Sequence, residues 1–320
     1  MKSQMMRNML TSLLLLIAAP VFAAPNVVVQ AIQMPAWVQR GATTQPLRVG
    51  MKLNDGDKLT AGANARILLR SADGSAIKLG ENASLTLSDL SQQHEGSALF
   101  SALLDVAKGA FRFTTAAVAK LNARDVKIKL AGATVGIRGT DVWGKVGGKM
   151  SIAAMEKAMG KSLDTLNKET NRDKDRKIDF DTVCLIEGKI SVAHENETPF
   201  VMDQVQSFYV MPKDAAPLPV ASLSSEQLAK WAAETEIAAG QGAARSGGKW
   251  KVNLLTANSK REALAVYDQL RTAGYDARIR SLPGGQYQLR ITQLPSRVEA
   301  QALAHKLTGM MRIKKPNVSR

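Results

Sequence analysis

Few side chains in this 320-residue chain lend themselves to catalysis or metal binding. His94, His194 and His305 are scattered, and none has a partner at ligand or triad spacing. HExxH, GxSxG and phosphate-loop patterns are absent. Cys184 is the single cysteine and sits in the apolar run Val183-Cys184-Leu185-Ile186, where it reads as a buried small hydrophobe. Asn171 to Thr182 places oxygen-bearing side chains at alternate positions, as Ca²⁺ requires. Arg176, however, stands where the sharp-turn glycine belongs and Thr182 where the bidentate glutamate belongs. A solvated charged turn is therefore expected, and no catalytic residue, cofactor or metal is nominated. The remaining chemistry is recognition by hydrogen-bond donors. Lys251, Asn253, Arg278, Arg280, Gln288 and Arg290 fall on one parity of alternating runs, together with Leu255 and Thr292. Ammonium, amide and guanidinium groups suit hydroxyls, carbonyls and carboxylates.

The elements that position these donors come from a duplication within residues 250–318. Lys251-Val252-Asn253-Leu254 leads to Ser259-Lys260-Arg261-Glu262-Ala263, Ala265 and Leu270. Thirty-seven residues on, Gln288-Leu289-Arg290-Ile291 leads to Ser296-Arg297-Val298-Glu299-Ala300, Ala302 and Leu307. Each half opens with period-two alternation, the mark of a half-buried strand. Each continues with Ser-x-x-Glu before a helical pattern, a capping box in which the glutamate reaches back to the serine N–H. Gly274 and Gly309 end the helices, and strands resume at Ala277 to Arg280 and at Met311 to Ile313. The predicted unit is βαββαβ with both helices on one face of the sheet. Val252, Leu254, Ala277, Ile279, Leu289 and Ile291 then face the helices, and the donors face outward.

This segment resembles a SPOR (sporulation-related repeat) domain, an envelope module that binds peptidoglycan glycan strands stripped of their peptides. The resemblance implies that the outward sheet face is the glycan site. Asn253, Leu255 and Ala257 stand where that family often has glutamine, glycine and an aromatic residue.

Charge agrees with a polyanion-facing module. Of the net +15, residues 248–320 carry +10, from 14 lysines and arginines against 4 acidic residues. A basic sheet-and-helix domain also suits RNA, but the N-terminus argues for export. Lys2 and Arg7 precede an apolar run from Met9 to Ala19 that is too short to span a bilayer. Val21-Phe22-Ala23 completes a signal peptide over 1–23, with the mature chain starting at Ala24 and located in the periplasm.

Residues 24–220 show short alternating runs separated by glycine turns, an all-β pattern compatible with a sandwich, roll or solenoid. The runs include Arg66 to Leu69, Ala76 to Leu79, Ser84 to Leu87, Val126 to Leu130, Val135 to Val142 and Lys189 to Val192. A helical insertion near 148–181 begins at a candidate cap, Ser151. Asn54-Asp55-Gly56-Asp57, Asp73-Gly74-Ser75, Lys108-Gly109-Ala110-Phe111 and Ile137-Arg138-Gly139-Thr140-Asp141 resemble the FecR domain. That resemblance implies an extracytoplasmic β-domain for sensing or docking. Arg138 is expected to satisfy backbone carbonyls at a strand turn.

Residues 221–249 should form a helix, capped by Ser224 and packed through Trp231, followed by a flexible linker at Gly240 to Gly248. The SPOR-like module would occupy 250–320. The expected protein is exported, multidomain and non-catalytic. It would bind glycan strands at its C-terminus and an envelope partner through its β-domain, with no nucleic acid and no membrane span after cleavage. The alternative is a periplasmic signalling protein that relays to a membrane partner, with the C-terminal module only tethering.

Overall fold

The computed structural model describes residues 27–91, 100–121, 124–159, 175–194, 197–213 and 216–320. The expected signal peptide, His94 and most of the acidic turn, including Asp173, lie outside the described residues.

Eight strands come first: β1 (Val27–Gln33), β2 (Ala36–Arg40), β3 (Thr43–Pro46), β4 (Lys52–Leu53), β5 (Lys58–Ala61), β6 (Arg66–Ser71), β7 (Ala76–Leu79) and β8 (Ser84–Ser91). The region then lengthens into β9 (Phe100–Thr114), β10 (Arg124–Lys129), β11 (Thr134–Ser151) and β12 (Lys177–Ala193). It closes with β13 (Phe200–Met202), β14 (Ser207–Pro212) and β15 (Ala221–Ser222).

The long strands each serve two layers. The first half of β9 pairs with β8 and β10, whereas its second half pairs with β7 and β11. β12 follows β11 along its length and meets β13 at one end and β14 at the other. With one later strand, the strands above form a single 16-stranded sheet that folds over on itself as a sandwich around a core that includes Val29, Leu69, Leu85, Leu104, Phe113 and Val142. Glycines mark the places where the strands change layer. Gly109 (φ +87°), Gly139 (φ +69°) and Gly188 (φ +86°) adopt a left-handed backbone. A Cβ on Gly188 would lie 2.8 Å from the Gly139 carbonyl oxygen, and one on Gly109 would lie 2.5 Å from Ala83 Cα. The Arg-Gly-Thr run is therefore a bend. The Arg138 side chain is exposed and makes no hydrogen bond to a described residue, contrary to the backbone-satisfying role expected of it.

Strand alternation leaves a second apolar face. Val142, Val183 and Tyr209 point into the sandwich, while Trp143, Cys184, Phe208 and Val210 point the other way. Two helices cover them: α1 (Ile152–Met159), capped by Ser151, and α2 (Ser225–Ala233), capped by Ser224. Trp231 stacks on Trp143 with centroids 4.9 Å apart and meets Phe208 edge-on at 5.4 Å. β11 runs to Ser151 and β12 starts at Lys177, so the insertion is shorter than the predicted 148–181.

Beyond α2 the chain crosses the sandwich as a strap. Glu234 pairs with Lys145 at 2.7 Å, and Glu236 pairs with Arg112 at 3.1 Å. Arg112 in turn grips Asp141 through Nε and Nη2 at 2.9 and 2.7 Å. Ile237 packs on Ala31, Leu68 and Ala76. A short strand, β16 (Ala244–Arg245), then pairs antiparallel with β1. The glycine-rich stretch read as a flexible linker is thus an ordered part of the fold.

The C-terminal module contains β17 (Trp250–Ala257), α3 (Lys260–Thr272), β18 (Arg278–Ser281), β19 (Tyr287–Leu294), α4 (Arg297–Leu307) and β20 (Asn317–Ser319). Its sheet order is β18-β19-β17-β20. β20 starts later than the predicted Met311 to Ile313, because Met311 and Arg312 adopt positive φ and turn the chain. Ser259 and Ser296 cap α3 and α4, each at 3.2 Å. The glutamates depart from the capping box. Glu262 accepts from the N–H of Asn258 rather than that of Ser259. Glu299 leaves the box, and its carboxylate accepts the N–H groups of Gly240, Gly242 and Ala243 at 2.6, 2.7 and 3.0 Å.

Two stability outcomes follow from these contacts. Trp143→Ala is expected to cost about 3–5 kcal/mol in urea unfolding. A double-mutant cycle with Trp231→Ala should show a coupling of about 0.5–1.5 kcal/mol from the stack. Glu299→Gln keeps one acceptor oxygen and sets an NH₂ against N–H donors. It should lose about 2–3 kcal/mol, with amide exchange at Gly240, Gly242 and Ala243 rising as measured by hydrogen–deuterium exchange.

Candidate ligand-binding face

The donors named from the sequence lie on one face because β17, β18 and β19 alternate as predicted. Val252, Leu254, Ala277, Leu289 and Ile291 are buried toward α3 and α4, and Ile279 is partly buried. The register then sets Arg278 beside Arg290, Arg290 beside Asn253, and Asn253 beside Asn317, one donor row across four strands. Arg280, Gln288 and Thr256 form a second row. Lys251 lies opposite Ser319.

A bulge between Asn253 and Leu255 alters one assignment. Leu255, expected to point outward, falls opposite Leu289 and packs partly buried against the core, and Thr256 takes the outward place. Trp250 and Tyr287 also pack partly buried against the core. Asn253 is not a free donor: its amide nitrogen serves Asn317 Oδ1 at 2.7 Å and Ser319 Oγ at 3.2 Å. Arg290 Nε is buried with no partner among the described residues.

The sandwich docks on the helix side of this module. Trp37 Nε1 donates to the Thr272 carbonyl at 3.1 Å, and Ala36 N–H donates to the Gly274 carbonyl at 3.1 Å. Gly274 must lack a side chain, because its Cβ would lie 2.6 Å from the Trp37 ring. Lys306 Nζ donates to the Met34 carbonyl at 2.6 Å, and burial pulls its pKa down. Arg48 faces Asp276 at 3.2 Å, and Arg278 faces the other oxygen of that carboxylate at 3.7 Å. Burial pushes the Asp276 pKa up, opposed by the charges of Arg278 and Arg48. With the helices and the α3–β18 corner occupied in this way, the sheet face carrying the donor rows points away from the sandwich.

Arg48, Tyr267 and Asp276 were missed by sequence reasoning. Arg48 is distant in the chain from Tyr267 and Asp276 and meets them only when the domains dock, so no local pattern marks the group. Asn317 and Ser319 were missed because the last strand was set too early.

His194 contacts the Gly132 carbonyl through Nδ1 at 2.9 Å and the Tyr209 hydroxyl through Nε2 at 2.8 Å. His305 is exposed. Cys184 is buried, and its pKa is pushed up to about 12, mainly by desolvation. Among the described residues, no group of three His, Cys, Asp or Glu side chains is arranged to hold a metal.

Two crystal structures of a candidate anti-sigma factor from Parabacteroides distasonis ATCC 8503 are similar to the chain. One shows 8% identity and a TM-score of 0.36, covering 78% of this chain and 91% of that one. The other shows 10% identity and a TM-score of 0.37, covering 78% and 90%. No curated protein matches the chain. Residues 57–157 match the family model of the FecR protein and residues 246–318 that of the SPOR domain, so the chain joins a FecR domain to a C-terminal SPOR domain.

Proposed function

We propose that this is an exported, non-catalytic cell-envelope protein. Its SPOR domain grips peptidoglycan glycan strands with the open sheet face, and its FecR domain senses or docks an envelope partner. One observation carries this reading. The row Arg278–Arg290–Asn253–Asn317 lies on the side of the sheet left bare when the FecR domain takes the helices. A sugar chain laid along that face meets guanidinium and amide donors at strand spacing, with Lys251, Arg280 and Gln288 flanking. Hydroxyls and acetamido carbonyls accept from such groups, and lactyl carboxylates make charge-assisted bonds worth about 1.5–3 kcal/mol each. The +10 charge of residues 248–320 favours approach to an anionic wall. Among the described residues no helix is long and apolar enough to cross a membrane. A periplasmic location follows from the segment at 1–23 as read from sequence.

Co-sedimentation of the full chain with purified sacculi tests the sheet face. Changing Asn253, Gln288 and Arg290 together to alanine should weaken binding by roughly tenfold or more, about 1.4 kcal/mol or above. Of the three, Arg290 should account for the largest share, because the donors of Asn253 are already engaged by Asn317 and Ser319. Unchanged pelleting of the triple variant would sink the sheet-face assignment.

A further inference from the structure

On the sandwich, the layer built from β1, β6 and β7 carries a cleft that the strap only half fills. Ile67 and Leu69 point into the core, so Leu68 and Arg70 point outward. One row of register partners crosses five strands on this outer face, in the order Arg245, Ala31, Leu68, Lys78 and Arg112. Arg70, Ala76 and Thr114 form the neighbouring row. The strap lays a carboxylate and an aliphatic side chain on this floor. Glu236 pairs with Lys78 and Arg112, and Ile237 packs on Ala31, Leu68 and Ala76. With Asp141 also on Arg112, the two cations at this end are matched by two carboxylates. The other end of the floor has no such match. A cleft of about 330 Å³ remains there, lined by Arg70, Arg245, Leu68, Ala76, Thr114 and Ile237 among others.

Arg70 is held but not neutralised. Its Nε and Nη2 donate to Gln30 Oε1 at 3.2 and 3.0 Å, and its Nη1 donates to the Gly74 carbonyl at 2.8 Å. Both acceptors are uncharged, and guanidinium N–H groups are left over for a further acceptor. The Arg245 side chain is exposed and makes no hydrogen bond or ion pair with a described residue. Two positive charges therefore flank an apolar floor, and neither is paired with a carboxylate.

We propose that this cleft docks an acidic peptide segment of an envelope partner, with a carboxylate between Arg70 and Arg245 and an aliphatic side chain on Leu68 and Ala76. This rests on the docking role given to the FecR domain above. The strap itself favours a peptide. Glu236-Ile237 is a carboxylate followed by an aliphatic residue, and it is seated on the matched end of the same floor. A partner segment lying beside it repeats that chemistry on the open end. Gln30 and Gly74 fix the Arg70 guanidinium in advance, so binding orders little that is not already ordered. Guanidinium–carboxylate bonds are charge-assisted, and the apolar floor beside them adds burial.

The probe is a fluorescein-labelled synthetic peptide with the sequence of residues 233–239, titrated into the full chain by fluorescence anisotropy. Arg70→Gln combined with Arg245→Gln should weaken binding by roughly tenfold or more. Arg245→Gln alone breaks no side-chain contact with a described residue and should weaken binding by about threefold, half that free energy. Glutamine in place of both glutamates of the probe, or serine in place of its isoleucine, should each cost roughly tenfold. Absence of probe binding by the natural protein overturns the cleft. So does binding that Lys78→Gln weakens and Arg245→Gln does not, because the probe would then be displacing the strap. Photoreactive side chains in living cells separate the site from the role: one replaces Ser246 beside the cleft, the other the exposed Val201 on β13. Capture of a protein at Val201 and not at Ser246 overturns the cleft and leaves the docking role standing; capture at neither overturns both.

Discussion

One buried carboxylate makes this chain a single body. Glu299 is only 8% exposed, and a carboxylate removed from water costs several kcal/mol unless donors replace its hydration. The amides of Gly240, Gly242 and Ala243 are those donors. Presenting three amides to one anion requires a backbone that curls around it, and Gly240 and Gly242 both adopt φ +76° to do so. Gly242 also lies so close to α4 that a Cβ would approach Leu303 Cα at 3.0 Å. The anion and the curled segment satisfy each other. From that clasp the chain passes directly into β16, the strand on β1 that brings the SPOR domain against the sandwich.

Within the sandwich the corresponding constraint is steric. β9, β11 and β12 each belong to two layers, so they must bend sharply without losing their ladders. Gly139 and Gly188 bend side by side, and the absence of a side chain on Gly188 lets the two backbones touch there. The bend turns the far half of each strand so that its second face needs cover. Trp143, Phe208 and Cys184 supply the apolar surface, and Trp231 closes it from α2. The strap that follows α2 then carries Glu234 and Glu236 onto Lys145 and Arg112. One continuous segment therefore seals the sandwich and delivers the SPOR domain to it.

The mode of docking also decides which surface remains for a ligand. Trp37, Met34 and Arg48 meet the helix layer and the α3–β18 corner of the SPOR domain. A rigid junction on that side leaves the donor rows open and sets Arg48 at their margin. Tethering through a flexible linker would have left both faces free and Arg48 away from Asp276.

Much of this was legible in the sequence because it is local. Alternation at period two placed Val252, Leu254, Leu289 and Ile291 inside and Arg278, Arg280, Gln288 and Arg290 outside, and the serine caps at 151, 224, 259 and 296 are found where their spacing put them. Burial of Cys184 and the packing of Trp231 followed from their apolar neighbours. What depended on contacts between distant segments was not legible. A bulge in β17 turned Leu255 inward, since strand parity counts residues and cannot see an extra one inserted against a partner. Glycine at 240 and 242 suggested flexibility from composition alone; only the buried Glu299 shows that glycine serves there for close approach. Glu299 in turn matched the capping box by spacing, yet a local backbone N–H competes poorly with three amides brought together by the fold. Sequence determined the strands, the helices and the polarity of their faces, because those depend on neighbours a few residues away. The tertiary structure decided which faces meet, which charges share a partner and which surface stays open, because those depend on groups that only folding brings within hydrogen-bonding distance.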